Sequence, residues 1–161
     1  MMQPRIKVLE ETRFVGKRIY MSLAQNKTKL LWQSFIPELK DVKNRSSKDL
    51  YSIEVYDPDY FKQFSPSTEF EKWAAVIVTD FDDVPDAMET LIAPAGLYAI
   101  FVYRGAASEG AQFFQRIFGA WLPASEYALD TRPHFAVMGD KYKNDDPNSE
   151  EEIWIPIKPK S

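Results

Sequence analysis

Cysteine is absent from this sequence, which excludes disulfides, thiolate nucleophiles and thiolate-ligated metals. Histidine occurs once, as His134. A zinc site therefore lacks its preferred ligands, and no cofactor is expected. A Ser-His-Asp triad would have to use that single imidazole, and no Gly-x-Ser-x-Gly elbow accompanies it. The six glycines are scattered singly, so no phosphate-cradling loop is present. No apolar run approaches the ~18 residues of a membrane-crossing helix. The start, Met1-Met2-Gln3-Pro4-Arg5, has no apolar stretch behind its charge. No signal peptide and no membrane partner are expected, and the cytoplasm is the expected compartment. A basic surplus is missing too: 20 Lys and Arg face 24 Asp and Glu, a net charge of −4. With no counterion release to gain and no basic stripe, general nucleic-acid binding is disfavoured.

Aromatic residues, by contrast, are abundant. The chain has 11 Phe, 8 Tyr and 4 Trp, and 45% of it is apolar, which excludes intrinsic disorder. Its 161 residues suit one domain spanning 1–161. A chain of that length buries roughly 70% of its unfolded surface without covalent staples.

Periodicity divides the chain into two similar halves, about 5–80 and 94–158. In the first, the β-branched and aromatic run from Ile6 to Met21 reads as strand. Asn26-Lys27-Thr28 offers a helix start. Leu31, Phe35 and Leu39 then recur at i, i+4, i+8 and predict a helix over about 27–42, with Pro37 a kink or early end. Leu50–Tyr56 and Trp73–Val78 read as strands. Between them lies an aromatic loop with Tyr60, Phe61, Phe64 and Phe70; loops of this length are often functional. Asp80–Glu89 reads as an acidic connector, with docking of a basic partner as its alternative.

The second half repeats the order. Gly96–Tyr103 is a strand, and Ser108 caps a helix in which Phe114, Phe118 and Leu122 recur at i, i+4, i+8, closed by Pro123. His134–Met138 is a short strand, Asn144–Asn148 a turn, and Glu152–Ile157 the last strand, whose Pro156 predicts an edge position or a strand end. The expected fold is therefore α+β: a duplicated strand-helix-strand-strand with pseudo-twofold symmetry, an antiparallel sheet and a central ligand groove where the halves meet.

Three stretches carry a resemblance: Gly96-Leu97-Tyr98-Ala99-Ile100-Phe101, then Trp121-Leu122-Pro123-Ala124-Ser125-Glu126-Tyr127, then Asp130-Thr131-Arg132-Pro133-His134-Phe135. With the closing Trp154-Ile155-Pro156-Ile157-Lys158, they resemble the GyrI-like effector-binding domain of AraC-type and multidrug-responsive regulators. The resemblance covers about Ile6 to Lys158. It implies an aromatic groove for hydrophobic or amphipathic, often cationic, small molecules. It also implies a glutamate just after Pro-x-Phe to answer the ligand's charge, where this chain has Ala136. The chain holds no helix-turn-helix ahead of its first strand, so direct DNA binding by it is not expected.

Glu54, in the matching strand of the first half, falls opposite Ala136 across the pseudo-twofold and is the candidate replacement carboxylate. Alternation puts Ser52, Glu54 and Tyr56 on one face, with Ile53 and Val55 on the other. Tyr20, Tyr56, Trp73, Tyr98, Trp121, Tyr127 and Phe135 are the groove aromatics, since ring faces suit flat ligands and cations. His134 is a conceivable haem ligand; beside Pro133 at a strand start it reads instead as a surface or hydrogen-bonded residue. A standalone sensing or sequestering module is the leading functional reading. A hydrolase managing protons through Glu54 or Tyr98 and a gyrase-inhibitor-like module that binds a protein partner are the alternatives.

Overall fold

The computed structural model describes residues 3–106, 109–143 and 146–160. Strands β1 (Arg5–Leu9) and β2 (Thr12–Met21) form one path broken at Glu10–Glu11. Helix α1 (Thr28–Phe35) follows, entered with the Thr28 N–H donating to Asn26 Oδ1 at 2.9 Å. Pro37 ends it as expected, and the chain tightens into a 3₁₀ turn over Ile36–Asp41. Strands β3 (Leu50–Val55) and β4 (Phe70–Ile77) complete the first half.

Strands β5 (Glu89–Ala93) and β6 (Gly96–Arg104) are again one path, broken at Pro94–Ala95. The second helical segment starts as α2 (Ala111–Arg116), widens into a π turn over Ile117–Trp121, and ends as α3 (Leu122–Ala124). Strands β7 (Tyr127–Leu129), β8 (His134–Met138) and β9 (Glu150–Pro159) close the chain. The expected Ser108 cap and part of the 144–148 turn lie outside the described residues.

The fold is α+β, with nine antiparallel strands in the order β1-β6-β9-β8-β3-β4-β2-β5 and β7 on β9. The two broken paths pair with each other: Leu9 opposes Gly96 in β1·β6, and Thr12 opposes Ala93 in β2·β5. One register runs through both ladders, so the sheet closes on itself as a barrel and buries its would-be edges. Closure explains why the strands read as near-continuous apolar runs, because both of their faces are covered. One face fills the lumen with Phe14, Tyr51, Ile53, Trp73, Tyr98, Ile100, Phe135 and Trp154. The other packs under the helices, with Leu31 and Phe35 of α1 on Val15, Ala74 and Val76, and Ile117 on Ala99, Phe101 and Ile155.

The halves mirror each other inside. Trp73 Nε1 donates to Glu71 and Trp154 Nε1 to Glu152, each at 3.1 Å. Arg18 lies 3.5 Å from Glu71, and Arg5 lies 2.9 Å from Glu152.

Two short strands escape the sequence reading. Strand β5 overlaps the acidic connector only at Glu89, and β7 lies in a stretch to which the sequence pattern assigns no element; each exists through its ladder, β5 on β2 and β7 on β9. The edge position expected from Pro156 is corrected as well. Strand β9 is central, flanked by β6 and β8. The Pro156 carbonyl accepts from Asp130 N–H at 3.0 Å, and a strand residue's N and O point the same way. The missing N–H therefore falls at the gap where β8 leaves β9 and β7 takes over, and no ladder bond is lost.

Gly16 lets β2 and β4 approach. A Cβ there would lie 2.0 Å from the Ala74 carbonyl oxygen and 2.7 Å from Ala75 Cα, both backbone atoms. Gly16→Ala should therefore cost about 3 kcal/mol, the upper range for overpacking, read as a lower urea midpoint. An unchanged midpoint would show that the two strands part freely.

Candidate functional site

The halves meet at the β1–β6 and β2–β5 ladders on one side of the barrel and, on the other, at the β3–β8 ladder, where Ser52 opposes Ala136 and Glu54 opposes His134. Alternation sends Ile53 and Phe135 into the lumen and turns Ser52, Glu54, His134 and Ala136 outward, toward the helices. Two small side chains thus lie side by side at the centre of the outer face. Aromatic and charged groups surround them.

The aromatic wall comes from the β3–β4 loop and the second helical segment. Tyr56 packs on Tyr60, Phe61, Phe70 and His134, with centroids 4.6–5.0 Å apart. Phe61 stacks on Phe118 at 5.4 Å and 28°, and on His134 at 6.0 Å and 23°. Phe118 and His134 also touch each other, at 6.2 Å, so the three rings form a triangle with Phe61 at its solvent-facing corner. Phe118 belongs to the π turn, a local widening that recurs at functional sites. Phe61 is still 37% exposed, so solvent reaches one edge of this stack.

Burial raises the Tyr56 phenol well above its ordinary value, with the Glu54 charge adding to it. His134 is buried and pushed down to about 3, first by desolvation and then by the nearby Arg132 charge. That burial overturns the expected surface position of His134, whose ring contacts include Tyr56, Phe61 and Phe118.

The charged side of the groove is Glu54, Lys72 and Glu151. Glu54 and Lys72 are ladder partners on β3 and β4, and their side chains form an ion pair. Both are largely buried, Lys72 to 12% exposure and Glu54 to 19%. Burial raises the Glu151 carboxyl above its ordinary value; Lys72 pulls it down and Glu54 pushes it up. Glu151 thus shares the field of the ion pair. Among the described residues no cluster of His, Asp or Glu has the arrangement of a metal site, and no helix is long and apolar enough to cross a membrane.

Of the residues expected from sequence, Glu54, Tyr56 and Ala136 come together here. The others lie elsewhere. Trp73, Tyr98 and Phe135 are lumen residues. Tyr98 Oη donates to the Pro133 carbonyl at 2.8 Å, and burial pushes its phenol up to about 12. Trp121 and Tyr127 stack on each other at 6.4 Å and 20°, with Trp121 edge-on to Phe101. Tyr20 is exposed beneath the Arg18 guanidinium. Glu54 is paired to Lys72, and Tyr98 is bonded within the core.

Phe61, Phe118, Lys72 and Glu151 were not singled out from sequence as groove residues. The long aromatic loop and the Phe114/Phe118 spacing signalled the first two without choosing between neighbouring rings. Nothing short of the strand register identifies Lys72.

The chain is 26% identical over 145 residues to the transcriptional regulator BrlR of Pseudomonas aeruginosa, covering 89% of this chain and 51% of that protein. It thus spans about half the length of this curated relative. Its fold matches the structure of SAV2435 bound to tetraphenylphosphonium, with a TM-score of 0.74 at 16% identity over 98% of this chain and 94% of that one. It also matches the EcmrR C-terminal domain, with a TM-score of 0.72 at 15% identity over 99% of both chains. A family model for the GyrI-like small molecule binding domain matches residues 2–158. With the duplicated barrel and its helix-flanked groove, that match places the chain in the GyrI-like small-molecule-binding family, related to the effector-binding domains of transcription regulators.

Proposed function

We propose that this chain senses or sequesters, in the cytoplasm, a small amphipathic molecule whose flat aromatic group takes the place of Phe61 in the outer groove. The observation that carries this reading is the three-ring cluster of Phe61, Phe118 and His134, in which a partly exposed ring of a loop lies near-parallel to both a helix ring and the buried imidazole. Tyr56 supplies an edge, and Ser52 and Ala136 leave room on the floor. We assign Glu54, Tyr56, Ala136, Phe61, Phe118 and His134 to this groove. The tetraphenylphosphonium held by SAV2435 supports a polyphenyl ligand class. The regulator half-covered by this chain supports ligand binding as a signal input. The net charge of −4 supports a small-molecule partner over direct contact with DNA.

Titration with triphenylphosphine oxide, followed calorimetrically, tests the reading. A ring that competes for the site lowers apparent affinity by the fraction of time the site is open. Phe61→Ala should therefore bind the probe at least about fivefold more tightly than the parent chain. Weaker binding would make Phe61 a wall of the site and not its occupant. No binding by either chain would overturn the groove assignment.

A further inference from the structure

We infer that Lys72 is a built-in counter-ion that sets the charge selectivity of the groove: its ammonium occupies the carboxylate site that a cationic ligand would otherwise use. The inference rests on the groove assignment above and adds the charge class of the ligand, namely neutral or anionic.

The chain lacks a carboxylate at Ala136, and Glu54, two positions along β3 from Ala136's partner Ser52, is already answered from within the protein. Lys72 reaches it from the adjacent strand, and the register fixes the two as direct neighbours. A cross-strand pair of this kind cannot part by side-chain rotation alone without leaving a charge in a largely buried place, at 12% and 19% exposure. An incoming cation would therefore meet an ammonium at close range and would have to separate the pair to reach Glu54. A neutral ring meets no such obstacle. An anionic group gains from the same ammonium. Glu151, whose carboxyl burial raises above its ordinary value, lies in the field of the same ammonium, which pulls it back down. The site thus rejects the wrong charge by placing a like charge in it.

Three probes separate the outcomes: tetraphenylphosphonium and tetraphenylborate, of one shape and opposite charge, and neutral triphenylphosphine oxide, which presents three of the same rings. The parent chain should bind the phosphonium no more tightly than the oxide. Lys72→Met keeps the stem and removes the charge, and should raise phosphonium affinity at least tenfold while weakening the borate. Lys72→Arg should keep the parent's order of preference. A phosphonium-to-oxide ratio in Lys72→Met equal to that of the parent overturns the inference and leaves the groove intact. If no probe binds either chain, the groove reading itself fails. Should Lys72→Met not fold, the parent decides alone: phosphonium binding more than tenfold tighter than borate overturns the inference.

Discussion

Replacing Phe135 by alanine is expected to destabilise the protein by about 3–5 kcal/mol, the range for removing a buried phenyl ring. The ring is 4% exposed and touches four others: Phe14 at 5.8 Å, Tyr51 at 5.8 Å, Tyr98 at 5.3 Å and Trp154 at 5.2 Å, the last stacked at 20°. Two of the four neighbours are held against collapse into the gap. Tyr98 is tied to the Pro133 carbonyl, and Trp154 to Glu152. The loss should appear as a lower urea midpoint at unchanged slope and a melting point lower by roughly 6–20 °C, at about 2–4 °C per kcal/mol for a chain of this size. Phe135→Leu, which refills most of the volume, should lose much less. A loss under about 1 kcal/mol in Phe135→Ala would mean that the lumen has slack and that the five rings are not mutually packed.

Phe135 also shows where the sequence is legible and where it stops. The strand was plain from His134 to Met138, and its alternation separates Phe135 from Ala136. Which face looks into a lumen and which toward the helices is not written in the alternation. Both faces of these strands are apolar, as in Trp73-Ala74-Ala75-Val76, because a closed sheet under helices buries both. Trp73, Tyr98 and Phe135 were therefore credible as groove rings until the register assigned them to the barrel. Closure itself depends on β1 pairing with β6, contacts about ninety residues apart in sequence. The five-residue β5 has too little pattern of its own to be recognised without them. Glu54 was found from its half-repeat and its face. Its partner Lys72 lies eighteen residues away and becomes a neighbour only in the folded ladder. Phe61 could be read as one of several rings in a Pro- and Ser-containing loop, and only packing singles it out.

The second large effect is a pH dependence carried by His134. Its folded-state value lies at about 3, against 6.5 for a free imidazole, because burial among rings disfavours the charged form. The sign follows from proton counting. Between pH 6.5 and pH 3 the unfolded chain takes up a proton that the folded chain refuses, so acid favours unfolding. The contribution is absent above pH 6.5 and grows by about 1.4 kcal/mol per pH unit below it. At pH 4 it should amount to about 3 kcal/mol. Carboxylates titrate in the same window, so the test is a difference between two curves. Stability of the parent chain and of His134→Phe, measured by urea unfolding from pH 7 to pH 4, should diverge as pH falls, with the parent losing more. Parallel curves would show that the imidazole is solvated and free to protonate in the folded state. That outcome would place a solvated, charged imidazole beside Phe61 instead of a dry one. Divergent curves would instead confirm a dry, neutral ring beneath it, the surface that a flat ligand needs.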